Sequence, residues 1–90
     1  MKSVWKFPIT SPGKVVIAMP KGSKVLCVQV QHGVPCIWAL CDTDAKKKDR
    51  TFYAYSTGDV HGSNKCEYIG TFQFNAGNLV YHVFEEMEKQ

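Results

Sequence analysis

The stretch KVLCVQVQHGVPCIWALCD, residues 24–42, decides how the rest of the chain is read. Its first eight residues alternate: Leu26, Val28 and Val30 fall on one side of an extended chain, with Val25, Cys27, Gln29 and Gln31 on the other. His32-Gly33 follows, a dipeptide suited to a tight hairpin turn. After Val34-Pro35, residues 36–42 are apolar on both sides, which predicts a central strand. A half-buried strand, a turn and a central strand make a hairpin in the middle of a β-protein.

Outward from that hairpin the same grammar repeats. On the N-terminal side, Pro20-Lys21-Gly22 and Ser11-Pro12-Gly13 are turns bracketing the β-branched run 14–19, and a short strand ends at Pro8. On the C-terminal side, residues 43–49 form a polar, lysine-rich loop and residues 50–57 an aromatic strand. The longest candidate loop, residues 58–65, is read as a long hairpin connection. Residues 66–74 place Tyr68, Gly70, Phe72 and Phe74 on one face, and residues 75–78 turn into a last strand. Strands are predicted near 3–7, 14–19, 24–31, 35–42, 50–57, 66–74 and 79–84, and no sustained helical period competes with them. The expected fold is all-β, about seven short, mainly antiparallel strands in a small sandwich or partly open barrel. The expected core is Val16, Leu26, Val28, Val30, Ile37, Trp38, Leu40, Phe52, Ile69, Phe72, Leu79 and Val83.

Ninety residues make one domain, read as residues 1–84 followed by an acidic tail at 85–90. A chain of this size buries only ~60–65% of its unfolded surface, so one modest core is available. No apolar run is long enough to span a membrane, and Lys2, Lys6 and Pro8 interrupt any leader-like segment, which predicts a cytoplasmic protein. Cys27, Cys36, Cys41 and Cys66 are then expected as free thiols, and their spacing fits no common zinc site. Charge is uneven. Residues 1–41 hold five lysines and no acid, whereas the tail from Glu85 holds three glutamates and one lysine. Without the tail the body carries ten basic and five acidic residues, a balance that suits an anionic partner or, more plainly, guards strand edges and solubility.

Chemistry-bearing motifs are sparse. His32, His61 and His82 lie in a turn, a loop and a strand with no ligand spacing between them, so no metal is expected, and His82 reads as a hydrogen-bonded structural residue. No nucleophile elbow or paired acid is visible, so no enzyme and no cofactor are expected. Residues Ser56-Thr57-Gly58-Asp59 and His61-Gly62-Ser63-Asn64-Lys65 form a polar, glycine-containing stretch able to cradle an anion, without the P-loop pattern. Lys46-Lys47-Lys48 with Arg50 is a basic cluster with Asp49 inside it. Tyr53 and Tyr55 share a strand face on which a base could stack, although most aromatics must fill so small a core.

At Pro20-Lys21-Gly22, Val28-Gln29-Val30-Gln31, Pro35-Cys36-Ile37-Trp38-Ala39-Leu40, Thr57-Gly58, Tyr68-Ile69-Gly70-Thr71-Phe72 and His82-Val83-Phe84-Glu85 the chain resembles a family of uncharacterised small phage and prophage proteins. The resemblance covers nearly the whole chain. It implies a small accessory protein encoded by a bacterial virus and acting in the bacterial cytoplasm. Small phage proteins of that kind often counter host defences, by sequestering a nucleotide signal in an oligomer or by capping a host protein. Two functions are therefore expected. The first is a homo-oligomeric sponge for a nucleotide-like anion, with Arg50 forking onto phosphate, Thr57 and the Gly58 amide donating, Tyr53 or Tyr55 stacking, and Lys65 adding charge. The alternative is an inhibitor or adaptor that binds a host or phage protein through an edge strand. Nucleic acid ranks last as a partner, and no membrane partner is expected.

Overall fold

A computed structural model describes residues 1–59 and 65–87. The chain forms seven strands: β1 (Lys2–Pro8), β2 (Gly13–Pro20), β3 (Lys24–Gln31), β4 (Val34–Asp42), β5 (Lys47–Ser56), β6 (Cys66–Phe74) and β7 (Leu79–Glu86). A single turn of 3-10 helix, Asn75–Gly77, links the last two. The strands make two antiparallel sheets, one ordered β1-β4-β3 and the other β2-β5-β7-β6. The sheets stack without closing into a barrel, so the sandwich of the two expected forms is the one adopted. Among the described residues, no helix is long and apolar enough to cross a membrane. All four cysteines are free thiols, Cys36 and Cys41 buried and Cys27 and Cys66 half-buried.

The central hairpin forms as its sequence dictates. Gln31 pairs with Val34, and His32 and Gly33 both take positive φ (51° and 79°). That is the twist a two-residue turn needs to match its strands. Strand β4 lies between β1 and β3, paired along both edges. Two segments extend further than expected. Strand β5 begins at Lys47, which pairs with Pro20, so part of the lysine-rich loop is sheet. Strand β7 runs on to Glu86. The connection after β5 is not a hairpin. β7 lies between β5 and β6 and is antiparallel to both, so Ser56 and Cys66 lie at opposite ends of the sandwich. His61, Gly62, Ser63 and Asn64 lie outside the described residues, as do residues 88–90.

The core lies between the sheets. It contains Ile9, Val15, Ile17, Met19, Val28, Ile37, Phe52, Ala54, Phe72 and Val83. Val28, Ile37, Phe52, Phe72 and Val83 are core residues as expected, and Ile69 packs against them half-buried. Val16, Leu26, Val30 and Leu79 are not, being 53, 48, 36 and 42% exposed. Trp38 and Leu40 are only half-buried, because they lie on the outer face of β4, while Ile37, Ala39 and Cys41 point inward. In β2 both faces are apolar, and the parity that turns inward is that of Val15, Ile17 and Met19.

Two β-bulges explain the other displacements. In β3, Val25 pairs with Ala39 and Cys27 with the adjacent Trp38, leaving Leu26 as an extra residue. An extra residue shifts every later side chain to the other face. Val25 and Val28 therefore both face the core, and Leu26 is exposed. In β6, Tyr68 pairs with Phe84 and Gly70 with Val83, leaving Ile69 extra. Tyr68 thus separates from Gly70, Phe72 and Phe74, contrary to the shared face expected for them. Gly70 is required where it stands: a Cβ there would sit 2.7 Å from a Val28 methyl carbon. The facing edge strands of the two sheets close together at this point.

Candidate functional site

Strands β5 and β7 pair so that alternate residues go to opposite sides of the sheet. Inward go Arg50, Phe52 and Ala54 from β5, with Val83 and Glu85 from β7. Outward go Tyr53, Tyr55, His82 and Phe84. β6 adds Tyr68 and Thr71 to the outer face through its pairs with Phe84 and His82. Two cross-strand rows result, Tyr53–Phe84–Tyr68 and Tyr55–His82–Thr71.

The first row and Tyr55 make a continuous patch of rings. Tyr53 and Tyr55 stack with centroids 5.6 Å apart. Tyr55 leans on Phe84 at 6.3 Å, and Tyr68 meets Phe84 edge-on at 5.5 Å. Tyr68 is 56% exposed and the other three are half-buried. Beside the rings runs a polar chain. Tyr68 Oη lies 2.6 Å from Thr71 Oγ1, which lies 3.0 Å from His82 Nδ1. Thr57 Oγ1 is 2.7 Å from His82 Nε2. Both ring nitrogens are thus held by hydroxyls, which accept or donate as the tautomer requires and fix the imidazole on the sheet. His82 has the structural, hydrogen-bonded role expected of it.

At the other margin the Tyr53 hydroxyl donates to Glu86 Oε1 at 2.9 Å. That bond to a carboxylate raises the Tyr53 pKa, with partial burial adding to it. Partial burial raises Tyr55 as well, and Cys66 is raised by burial and by the neighbouring Glu86. The face presents phenols, a thiol and hydroxyls, with the His82 imidazole among them and the Glu86 carboxylate at its margin.

Of the residues expected to bind a ligand, Tyr53, Tyr55 and Thr57 share this face. Gly58 follows Thr57 at one end of the sandwich, and Lys65 precedes β6 at the other. Arg50 stands apart. It pairs with Ile17 and points to the interior side of the sheet. There its Nη2 and Nε bond both oxygens of Glu85, the former at 2.7 Å, and Nη1 donates to the Ser23 carbonyl. Arg50 and Glu85 side chains are only 21 and 13% exposed. Tyr68, Thr71, His82, Phe84 and Glu86 join the face although the sequence reading did not assemble them. The alternation His82, Phe84, Glu86 in β7 was the available signal, and the bulge at Ile69 hid Tyr68. Among the described residues, no group of three or more histidine, cysteine or acidic side chains is placed to hold a metal ion.

Two stacked antiparallel sheets with an aromatic, hydroxyl-rimmed outer face define a small all-β sandwich domain. The chain belongs to the family described as Domain of unknown function (DUF7352), which it matches over residues 1–90. No curated protein and no solved structure matches it.

Proposed function

We propose that the protein is a non-catalytic binding domain that docks a partner protein on the outer face of its four-stranded sheet. The observation that supports this is the patch Tyr53, Tyr55, Phe84 and Tyr68, four rings in mutual contact outside the core. Fully covering one aromatic side chain removes on the order of 150–250 Å² of surface from water, and protein interfaces concentrate Tyr, Trp and Phe for that reason. These rings are pre-ordered by one another, so little entropy remains to be lost on docking. Thr57, Thr71, His82 and Glu86 supply a hydrogen-bonding rim. Given the resemblance to small phage and prophage proteins, the partner that suits this reading is a host or phage protein of the bacterial cytoplasm.

Docking through a strand edge has less support. On one side of the sandwich, β3 and β6 both carry bulges, and on the other β1 and β2 carry Lys2, Lys6 and Lys14 with Pro8 and Pro20. Bulges, lysines and prolines all discourage strand addition. The test is a photo-crosslinking residue placed at Tyr55 or, on the far sheet, at Val4, in bacterial cells producing the protein. A discrete heavier adduct from position 55, absent from position 4 and lost on Tyr68→Ala, is expected. No adduct, or the same adducts from both positions, overturns the reading.

The parallel Tyr53–Tyr55 stack favours a second reading, in which a nucleotide-like anion lies on the rings and a second copy of the chain closes the open side. Thr57 and Gly58 follow that pair, and Lys14 lies opposite Tyr53. Arg50 weighs against it. Breaking a buried ion pair costs ~3–5 kcal/mol, and even half of that, since solvent reaches part of the pair, matches the ~1.5–3 kcal/mol a charged hydrogen bond to phosphate returns. Calorimetric titration of cyclic and linear nucleotides, with sedimentation, separates the two. Binding by an oligomer that Tyr55→Ala abolishes selects the nucleotide, and silence at millimolar concentration removes it.

A further inference from the structure

The end of the sandwich where β1 gives way to β2 holds a cleft of about 310 Å³. Its walls are Ile9 and Pro12 from the β1–β2 connection, Phe72 and Phe74 from β6, and Leu79 and Tyr81 from β7, with Ala54 of β5 contributing from the core side. Phe72 meets Phe74 edge-on at 5.4 Å and stacks on Tyr81 at 5.4 Å, so the rings form one ordered surface. The cleft is held open by its frame. The Ile9 amide donates to the Pro35 carbonyl at 2.8 Å, tying the connection to β4, and Pro12 and Pro35 stiffen the two segments that flank the mouth. Across from them lies the β6–β7 turn, where Ala76 takes φ 55°.

We propose that this cleft is a binding site for a neutral, flat, two-ring molecule. Size sets the first limit. An apolar cavity of roughly 150 Å³ accepts one benzene ring, and this one has about twice that volume. Charge sets the second. Among the described residues no ionisable group other than the Tyr81 phenol lines it, and the hydroxyls of Thr10, Ser11 and Tyr81 are its hydrogen-bonding side chains. A carboxylate or phosphate drawn in would lose its water for one or two hydroxyl contacts, which do not replace it. An aromatic molecule with one hydroxyl or ring N–H meets stacked rings and a waiting hydroxyl. The site lies on the interior side of β6 and β7, whereas the proposed docking face is on their outer side, so either can fail without the other.

The probes are 2-naphthol and its charged analogue 2-naphthoate, followed at neutral pH by methyl NMR. 2-Naphthol is expected to shift the Ile9 and Leu79 methyls saturably, and 2-naphthoate to bind at least tenfold more weakly. Leu79→Trp, a substitution at a partly exposed wall position, should weaken 2-naphthol at least tenfold while the amide spectrum stays folded. Ala54→Leu fills the cleft from the core side and should do the same, which keeps the test decisive if either variant unfolds. Tyr55→Ala should leave the affinity unchanged. No saturable shift up to the solubility of 2-naphthol, equal binding of 2-naphthoate, or full affinity in a folded Leu79→Trp protein overturns the site. So does a set of shifts centred on Tyr53 and Phe84 instead of Leu79.

Discussion

The two faces of the four-stranded sheet are built from alternate residues of the same strands, yet they obey different rules. On the inner face of β5 and β7, Phe52 and Val83 are fully buried, and the Arg50–Glu85 pair is bonded to itself and to the Ser23 carbonyl. On the outer face, one residue along, Tyr53, Tyr55 and Phe84 pack on each other and remain half-buried. A sandwich of this size needs only one covered face per sheet to fold. The second aromatic surface is beyond what folding requires, and that excess marks it as the candidate site.

The largest effect expected from this contrast is on stability. Phe52→Ala should cost ~3–5 kcal/mol, the scale of a deleted core aromatic with its cavity. Tyr55→Ala, three positions on and facing out, should cost less, ~1–3 kcal/mol, the scale of the two aromatic pairs it makes. Denaturant titration of both variants checks this, and equal losses would mean that the outer rings are structural and not a site. Next comes the ion pair. Glu85→Gln should cost ~2–3 kcal/mol by leaving a mostly covered guanidinium half-satisfied, and the double change Arg50→Met with Glu85→Leu should recover most of it. If Glu85→Gln is neutral in the same titration, Arg50 is available to a ligand after all, and the nucleotide reading regains its phosphate clamp.

The smallest effect is a titration. Tyr53 has its pKa raised above the ordinary 10.0, chiefly by its bond to Glu86. A raised folded-state value means the neutral phenol is favoured in the folded protein. That contribution is fully present below pH 10 and is lost as pH rises through the folded-state value. Glu86→Gln should bring the Tyr53 transition back toward its ordinary position, as read from tyrosinate absorbance. An unchanged transition would mean that the hydroxyl is solvated and the outer face less ordered than its ring contacts indicate.

Much of this was legible in the chain. The His32-Gly33 turn, the central strand after it and the shared face of Tyr53 and Tyr55 follow from local conformational preference and from period two, which need only a few neighbouring residues. Trp38 shows the limit. It sits in an apolar run, but both faces of β4 are apolar, so nothing nearby says which side meets the second sheet. The structure turns Ile37 inward and leaves Trp38 half-covered, with the Lys6 ammonium 5.9 Å from its ring centre. Arg50 shows it again. Its parity with Phe52 was readable, but its partner Glu85 lies thirty-five positions away.

The sequence by itself determined that this chain is all-β, where its strands run to within a few residues, and that alternate residues of β5 part company. Those properties are set by backbone propensity and side-chain alternation, both local. Only the tertiary structure decided which alternate set is inside and which strands are neighbours. The physical reason lies in the bulges at Leu26 and Ile69, each inserting one residue and reversing the parity of all that follows. Gly70 lets β6 approach Val28 across the sheets, a requirement that exists only once the two are packed together. The direct pairing of β5 with β7, which β6 separates only in sequence, then brings Arg50 to Glu85 on one side and Tyr55 to His82 and Phe84 on the other.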